Sequence, residues 1–389
     1  MTFKETKIGI IPEHWEVLPI KEITEVVTDY VANGSFASLA ENVTYKDEED
    51  VAVLIRLVDY NNNFQGKFVF VDEHAYEFLG KSKLFGDEII ISNVGANVGT
   101  VFRCPKLQYK MSLAPNSIMV KFKENDDFYF HWLRGHNGQQ MLKSIVTGSA
   151  QPKFNKTNFK EMLVPVPPID EQIKIASILN SIDEKIELNN AINNNLEQQA
   201  QAIFDNMFPN ISNGENTIGN IIKPKRGKGL LSKNAVFGDV PVVAGGLEPS
   251  TYHNTANTVA PVLAISASGA NAGYVSLWNI PIWSSDSSFI DSSMTDDVYF
   301  WYVLLKKRQK EIYDAQTGSA QPHIYPQHIA SMPIANLNVE EVCNYTSIVK
   351  PIFEKIGYNK EENMKLAKTR DTLLPKLMSG ELDVSDINL

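Results

Sequence analysis

From Ile175 onward, side chains alternately four and three residues apart form a heptad stripe: Ile175, Leu179, Ile182, Ile186, Asn189, Asn193, Leu196, Ala200, Ile203 and Met207. Only its two asparagines are polar. This period of 3.5 residues is that of a seam between two helices. Pro167 and Pro168 precede the stripe, Asp170 stands in the N-cap region, and the next proline is Pro209. The pattern therefore predicts a helix over 169–208, about 60 Å long at ~1.5 Å per residue. The stripe returns as Tyr345, Val349, Ile352, Ile356, Asn359, Asn363, Leu366, Arg370, Leu373 and Leu377, predicting a second helix over 337–378. Each stripe carries its two asparagines at matching positions, Asn189 and Asn193 in one, Asn359 and Asn363 in the other. Asparagine in an apolar seam gives up stability and fixes register, so these four are assigned as register residues of one helix pair.

The recurrence extends well beyond the helices. TGSAQP occurs at Thr147–Pro152 and again at Thr317–Pro322, 170 positions on. At the same offset Asp126, Asp127, Tyr129 and Phe130 match Asp296, Asp297, Tyr299 and Phe300. Upstream, GANVGTV at Gly95–Val101 answers GANAGYV at Gly269–Val275, and the first copy is the longer, mostly through insertion before Gly95. In that copy β-rich runs at Val51–Leu57, Lys67–Val71, Glu88–Ser92 and Ser117–Phe122 are separated by Gly, Asn and Pro clusters. Each copy thus reads as a compact α+β lobe followed by one long helix. The implied divisions are a first lobe at 1–168, helix 169–208, a second lobe at 209–336, helix 337–378 and a tail at 379–389. Two like copies in one chain pack most simply about a pseudo-two-fold axis, which makes the helix pair an antiparallel coiled coil.

Composition narrows the function classes. The 389 residues carry 36 Lys and Arg against 46 Asp and Glu, for a net charge of −10, so uniform coating of nucleic acid is disfavoured. The signs are nevertheless segregated. Lys223–Lys233 holds Lys223, Lys225, Arg226, Lys228 and Lys233 with no acid, whereas Ile169–Phe208 is acidic. An acidic protein can therefore still present positive faces to phosphate. The two cysteines, Cys104 and Cys343, suit neither a disulfide framework nor a zinc clip, which fits a reducing cytoplasm. No apolar run approaches the ~18 residues of a membrane span.

Signatures of catalysis are missing: no phosphate loop of the GxxxxGK[ST] type, no GxGxxG, HExxH or GxSxG, and no Asn-Pro-Pro or Asp-Pro-Pro of an amino-methyltransferase. No metal ligands or cofactor residues are assigned. The repeated loops are the better candidates for nucleic-acid contact. Asn97 and Asn271 lie in matching Gly-containing turns where backbone N–H groups can approach an anion, and a plain hairpin uses the same glycines. Beyond TGSAQP one copy has Lys153, Asn155 and Lys156, the other His323 and Tyr325, so a shared frame carries divergent tips. Asn bonds adenine and Lys or Arg guanine, as two different half-sites would require. Lys225, Arg226 and Lys228, interleaved with Gly227 and Gly229, form a candidate phosphate clamp, the alternative being a solvated loop.

Nearly the whole chain resembles the specificity (S) subunits of type I restriction-modification systems. The opening IGIIPEHWEVLPIKEI at Ile8–Ile23, TGSAQPKFNK at Thr147–Lys156, VPVPPIDEQIKIASILNSIDEKI at Val164–Ile186 and LLPKLMSGEL at Leu373–Leu382 carry the likeness, together with the duplication. The resemblance implies two target-recognition domains reading the halves of a split DNA sequence, with the helices as a ruler between them. It also implies a non-catalytic subunit working on double-stranded DNA with two methyltransferase subunits and with restriction motor subunits; S-adenosylmethionine, ATP and Mg would belong to those partners. One departure stands out. Pro167, Pro168, Glu171 and Gln172 at the first lobe-to-helix junction become Leu337, Asn338, Glu341 and Val342 at the second, so the resemblance leaves open whether both junctions dock a partner alike. Two other classes remain open on the residues alone: a coiled-coil scaffold without DNA binding, and a divergent self-contained DNA-modifying enzyme.

Overall fold

The computed structural model describes residues 2–318, 321–385 and 387. The chain divides into two compact units, Met1–Glu184 with Leu366–Leu389, and Lys185–Lys365. The division falls inside the long helices, Ile169–Met207 and Val339–Met378, so each unit owns part of both. The helices begin and end within two residues of the heptad forecast.

In the first unit the four-stranded core sheet runs Thr24–Asp29, Ser117–Phe122, Ile89–Ser92, Val101–Arg103 in space, antiparallel throughout. A second sheet pairs Ala52–Ile55 in parallel with Lys110–Leu113, with Phe70–Val71 and Lys83–Leu84 on its edges. The β-rich runs read from sequence thus form strands, though shorter ones: Val51–Leu57 gives Ala52–Ile55, and Lys67–Val71 keeps only Phe70–Val71. Ala52, Val53, Leu54 and Ile55 are all buried, which is why the run reads as continuously apolar rather than alternating.

The second unit repeats the plan with shorter parts. Its core sheet runs Lys225–Arg226, Ser287–Asp291, Val262–Ser266, Val275–Trp278, again antiparallel. Its small sheet keeps the parallel pair, Val240–Val243 with Trp283–Ser284, and the antiparallel edge Thr251–His253. The insertion of the first copy therefore enlarges the small sheet and its helices and leaves the core sheet alone.

Within each unit the helix segments run antiparallel. In the second unit Asn189 Nδ2 donates to Asn363 Oδ1 at 2.8 Å and to Glu362 Oε2 at 2.7 Å, while Asn359 Nδ2 donates to Asn193 Oδ1 at 2.8 Å. Asparagine faces asparagine as the seam predicts, with one number rising as the other falls. In the first unit Arg370 donates to Asp183 Oδ1 at 2.8 Å, so the one charged seam position is answered by an acid beside the opposing stripe. Pro351 lies inside the second helix without ending it. The neighbouring Tyr345, Val349, Phe353 and Ile356 are fully buried, and that packing outweighs the ~3 kcal/mol an interior proline costs.

The lobes meet their helix segments differently. In the first unit Ile175, Ala176 and Leu179 of the helix share a buried apolar cluster with Phe128, Trp132 and Leu133, and a polar network runs along its edge. His131 Nε2 lies 2.7 Å from Asn180 Oδ1, Asn180 Nδ2 donates to Asp127 Oδ2 at 2.9 Å, and Arg103 pairs with Asp127. Arg103 and Arg134 lie over the Phe130 ring at 4.5 and 4.9 Å. In the second unit the seat is aromatic. Phe204, Phe208, Phe300 and Tyr345 meet at centroid distances of 5.1–6.2 Å, and Tyr299 stacks on Phe353 at 5.0 Å.

Candidate nucleic-acid interface

In each lobe the two repeated loops are stitched to each other. In the first, Lys153 bridges both Val94 and Thr147. Gly95 N donates to Pro152 O at 2.9 Å, Phe154 N to Asn93 O at 3.0 Å, and Thr147 and Lys153 exchange backbone hydrogen bonds at 2.8 and 2.9 Å. In the second, His323 takes the place of Lys153, bridging Ser268 and Thr317. Gly269 N donates to Pro322 O at 3.0 Å, Ile324 N to Ala267 O at 2.9 Å, and Thr317 and His323 exchange bonds at 3.0 and 2.8 Å. The glycines are demanded by the backbone: Gly95 and Gly269 sit at φ of +102° and +84°, which side chains other than glycine adopt with strain. The next residue, Phe154 or Ile324, is buried and anchors the junction in the core.

The predicted contact residues occupy this frame unequally. Asn97, Lys153 and Asn155 are exposed on the first lobe. Asn155 Oδ1 caps the short helix Lys156–Lys160 by accepting from Asn158 N at 2.8 Å, which leaves its amide NH2 outward. Lys156 turns back to Asp29 Oδ1 at 2.8 Å, so its charge is compensated within the lobe. On the second lobe Asn271 and His323 are half-buried, and Tyr325 is exposed with its ring stacked on His323 at 5.9 Å. The second copy of TGSAQP is described except for Ser319 and Ala320, which lie outside the described residues.

The basic segment adjoins the same place. Lys225 and Arg226 form an edge strand against Phe289 and Ser288, and both are exposed, as is Lys228. Arg226 pairs with Asp286 at 2.6 Å, and Asp286 also accepts from Ser268 Oγ in the Gly-containing turn. Asp286 thus ties basic strand to repeated loop, a link without a signal in the sequence. Sequence reasoning also missed a cleft of about 580 Å³ on the first lobe, lined by Tyr30, Phe36, Tyr45, Asn93, Val94 and Asn116 beside the stitched loops. Its aromatic residues lie before Gly95, where the first copy is the longer. Tyr45 donates to the Tyr30 hydroxyl at 3.3 Å, and burial pushes the Tyr30 phenol up. Among the described residues no cluster of three or more His, Cys, Asp or Glu could hold a metal ion, and no helix is long and apolar enough to cross a membrane.

Residues 12–198 match the family model for the type I restriction modification DNA specificity domain. The MjaIX specificity subunit of a type I restriction enzyme from Methanocaldococcus jannaschii is 25% identical, covering 99% of this chain and 97% of its own. The HindI specificity subunit from Haemophilus influenzae is 23% identical over 70% of this chain and 80% of its own. Residues 12–198 thus carry a type I restriction modification DNA specificity domain, and nearly the whole chain is similar to type I restriction enzyme specificity subunits. The crystal structure of a type I restriction-modification S subunit from M. genitalium shares the fold, with a TM-score of 0.58 at 19% identity over 94% of this chain and 96% of that one.

This likeness gives meaning to contacts that looked unrelated in sequence. The likeness-bearing motifs converge in the first unit. Trp15 Nε1 donates to Glu171 Oε2 at 2.9 Å and His14 lies 2.7 Å from Glu171 Oε1, joining the opening motif to the start of the first long helix. Gly380, at φ +68°, packs so closely on Pro12 and Trp15 that any Cβ there would strike the proline ring. The second junction is built otherwise: Val342 is buried in the aromatic core where Gln172, fully buried, donates to Pro167 O at 2.9 Å and Glu124 Oε2 at 3.1 Å.

Proposed function

We propose that this chain is the recognition subunit of a type I restriction-modification assembly. Each lobe reads one half of a bipartite DNA target through its stitched loops, and the helix pair sets the separation. The observation that carries this reading is the identical three-way loop junction in both lobes, occupied by Lys153 in one and His323 in the other. A common backbone frame with exchanged side chains is what reading two different half-sites needs, since phosphate contacts position and base-edge contacts specify. The exposed Lys225 and Lys228 add phosphate contacts on the second lobe. The chain supplies recognition and no catalysis; two methyltransferase subunits bring S-adenosylmethionine and modify adenine, and motor subunits bring ATP and Mg. The assembly works in the cytoplasm.

Mapping methylated adenines by single-molecule sequencing, in cells carrying this chain and its methyltransferase partner, tests the proposal. Two short motifs at fixed separation are expected, with centres about one helical turn, ~34 Å, apart if both are approached from one face. Removing one heptad from both helices, outside the asparagine pairs, should shorten the spacer or abolish modification. A contiguous motif, or an unchanged spacer in that variant, overturns the reading.

A further inference from the structure

We infer that Phe237 is a wedge that enters a base step of the DNA beside the second half-site. The inference rests on the proposed function and names a contact no repeated motif contains. Phe237 is 96% exposed, more than any other large apolar side chain among the described residues. A single apolar side chain in water is ordinary, but Phe237 shares its loop with the exposed Leu231 and Val236, and a group of such side chains marks a surface that another molecule covers.

The loop does not collapse because both of its roots are pinned. At its start Trp283 Nε1 donates to Lys228 O at 2.8 Å, and Leu230 N donates to Ser285 Oγ at 2.9 Å. At its end Val236 N donates to His253 Nδ1 at 3.0 Å, and Gly238 lies against the His253 and Asn254 backbone with no room for a Cβ. Between the roots Leu231 and Val236 are also exposed, around a single turn of 3-10 helix at Ser232–Asn234.

Charge identifies the occupant. From Lys223 to Asp239 there are five basic residues and one acid, Asp239, which leaves the segment net positive, and it is tied through Arg226 and Asp286 to the stitched loops. An apolar tip flanked by lysines suits a polyanion with stackable faces, as in proteins that insert Phe or Leu between base pairs while lysines hold the phosphates. The other prominent aromatics differ. Phe85, 78% exposed, sits on a turn whose amides are held by the Glu88 carboxylate, and the nearby Lys83 and Lys106 are already paired with Glu77 and Asp87. Phe36 lines the first-lobe cleft.

The test uses the assembly of this chain with its methyltransferase partner on duplexes carrying the mapped target, with 2-aminopurine walked across the second half-site and its flank. Unstacking at one step should raise 2-aminopurine fluorescence there. Phe237→Ala should abolish that rise and weaken binding by about 5- to 100-fold, the range expected for losing one aromatic–base stack. Phe237→Leu should retain most of both. An abasic site at the same step, already unstacked, should restore affinity to the Phe237→Ala assembly. An unchanged thermal midpoint is expected, since the side chain touches no core. If the wild-type assembly binds its target but no position brightens, or Phe237→Ala leaves fluorescence and affinity unaltered, the wedge is refuted while the recognition role stands; if no duplex is bound at all, the recognition role fails first.

Discussion

The two lobes are one backbone plan seated in two chemistries. Core sheet order, the parallel pair beside it and the stitched loops recur strand for strand. Yet the first lobe adds to its apolar seat the polar network of His131, Asn180, Asp127, Arg103 and Arg134, where the second has the aromatic cluster of Phe204, Phe208, Phe300, Tyr345 and the Tyr299–Phe353 stack. The residue at the position of His131 in the second copy is Trp301, and that of Arg134 is Leu304. Hydrogen-bonded backbone and left-handed glycines are hard to replace, so the frame persists. A seat has only to be satisfied, and a closed polar network or an apolar aromatic cluster both meet that condition.

The largest effect should come from emptying the aromatic seat. Phe204→Ala is expected to cost about 3–5 kcal/mol and to separate the denaturation of the second unit from the first, read by chemical unfolding. A single transition shifted as a whole would mean the two units are one cooperative body. The polar network of the first seat should show a less dramatic change: Asp127→Ala leaves Arg103 without its carboxylate and Asn180 without an acceptor, for about 1–3 kcal/mol. A loss as large as that of Phe204→Ala would erase the distinction between the seats.

The shared frame can be broken symmetrically. A Cβ at Gly95 or Gly269 would meet nothing within 4 Å, so Gly95→Val and Gly269→Val test the positive φ alone. Each should cost about 1–3 kcal/mol and impair recognition of one half-site only, seen as relaxed sequence preference in the methylation map. Equal relaxation of both halves by either variant would show that the loops are not half-site readers. Lysine content should separate the lobes more finely. Lys153→Gln is expected to lower the slope of log affinity against log salt by about 0.9, and removal of both Lys225 and Lys228 by up to about 1.8.

The smallest expected difference lies in pH. Burial depresses the His131 pKa, against the raising influence of Asn180 and Asp183 and with the help of Arg134 and Arg103. The fold therefore favours neutral His131. Its contribution is complete above the free imidazole value of about 6.5 and is lost as pH falls from there towards the lower folded value. The first unit should lose thermal stability on acidification through this window, and His131→Gln should flatten that response. Trp301 does not titrate, so the second lobe lacks the corresponding element.

Much of this was legible in the chain. The heptad stripe located both long helices to within two residues, because a seam of 40 residues sums many weak signals, and the four asparagines announced their own pairing. The Gly-containing turns and TGSAQP were marked out by repetition, and in each lobe they meet at one junction. What escaped is long-range by nature. Lys156 reads from the sequence only as a DNA-contacting tip, and the fold adds its pairing with Asp29, 127 positions away. Asp286, the convergence of Trp15, Glu171 and Gly380, and the exposure of Phe237 each depend on which distant backbone lies alongside.

Periodicity and repetition are local properties of a chain and survive in its one-dimensional record, so helix length, duplication and the register-setting positions follow from the residues themselves. Which charge is neutralised, which aromatic is buried and which is left in water depend on neighbours that only folding supplies. Hydrogen bonds and desolvation act over a few ångströms of space whatever the separation in sequence, and the tertiary structure therefore decided the chemistry of the two seats and of the surface between the loops and the basic strand.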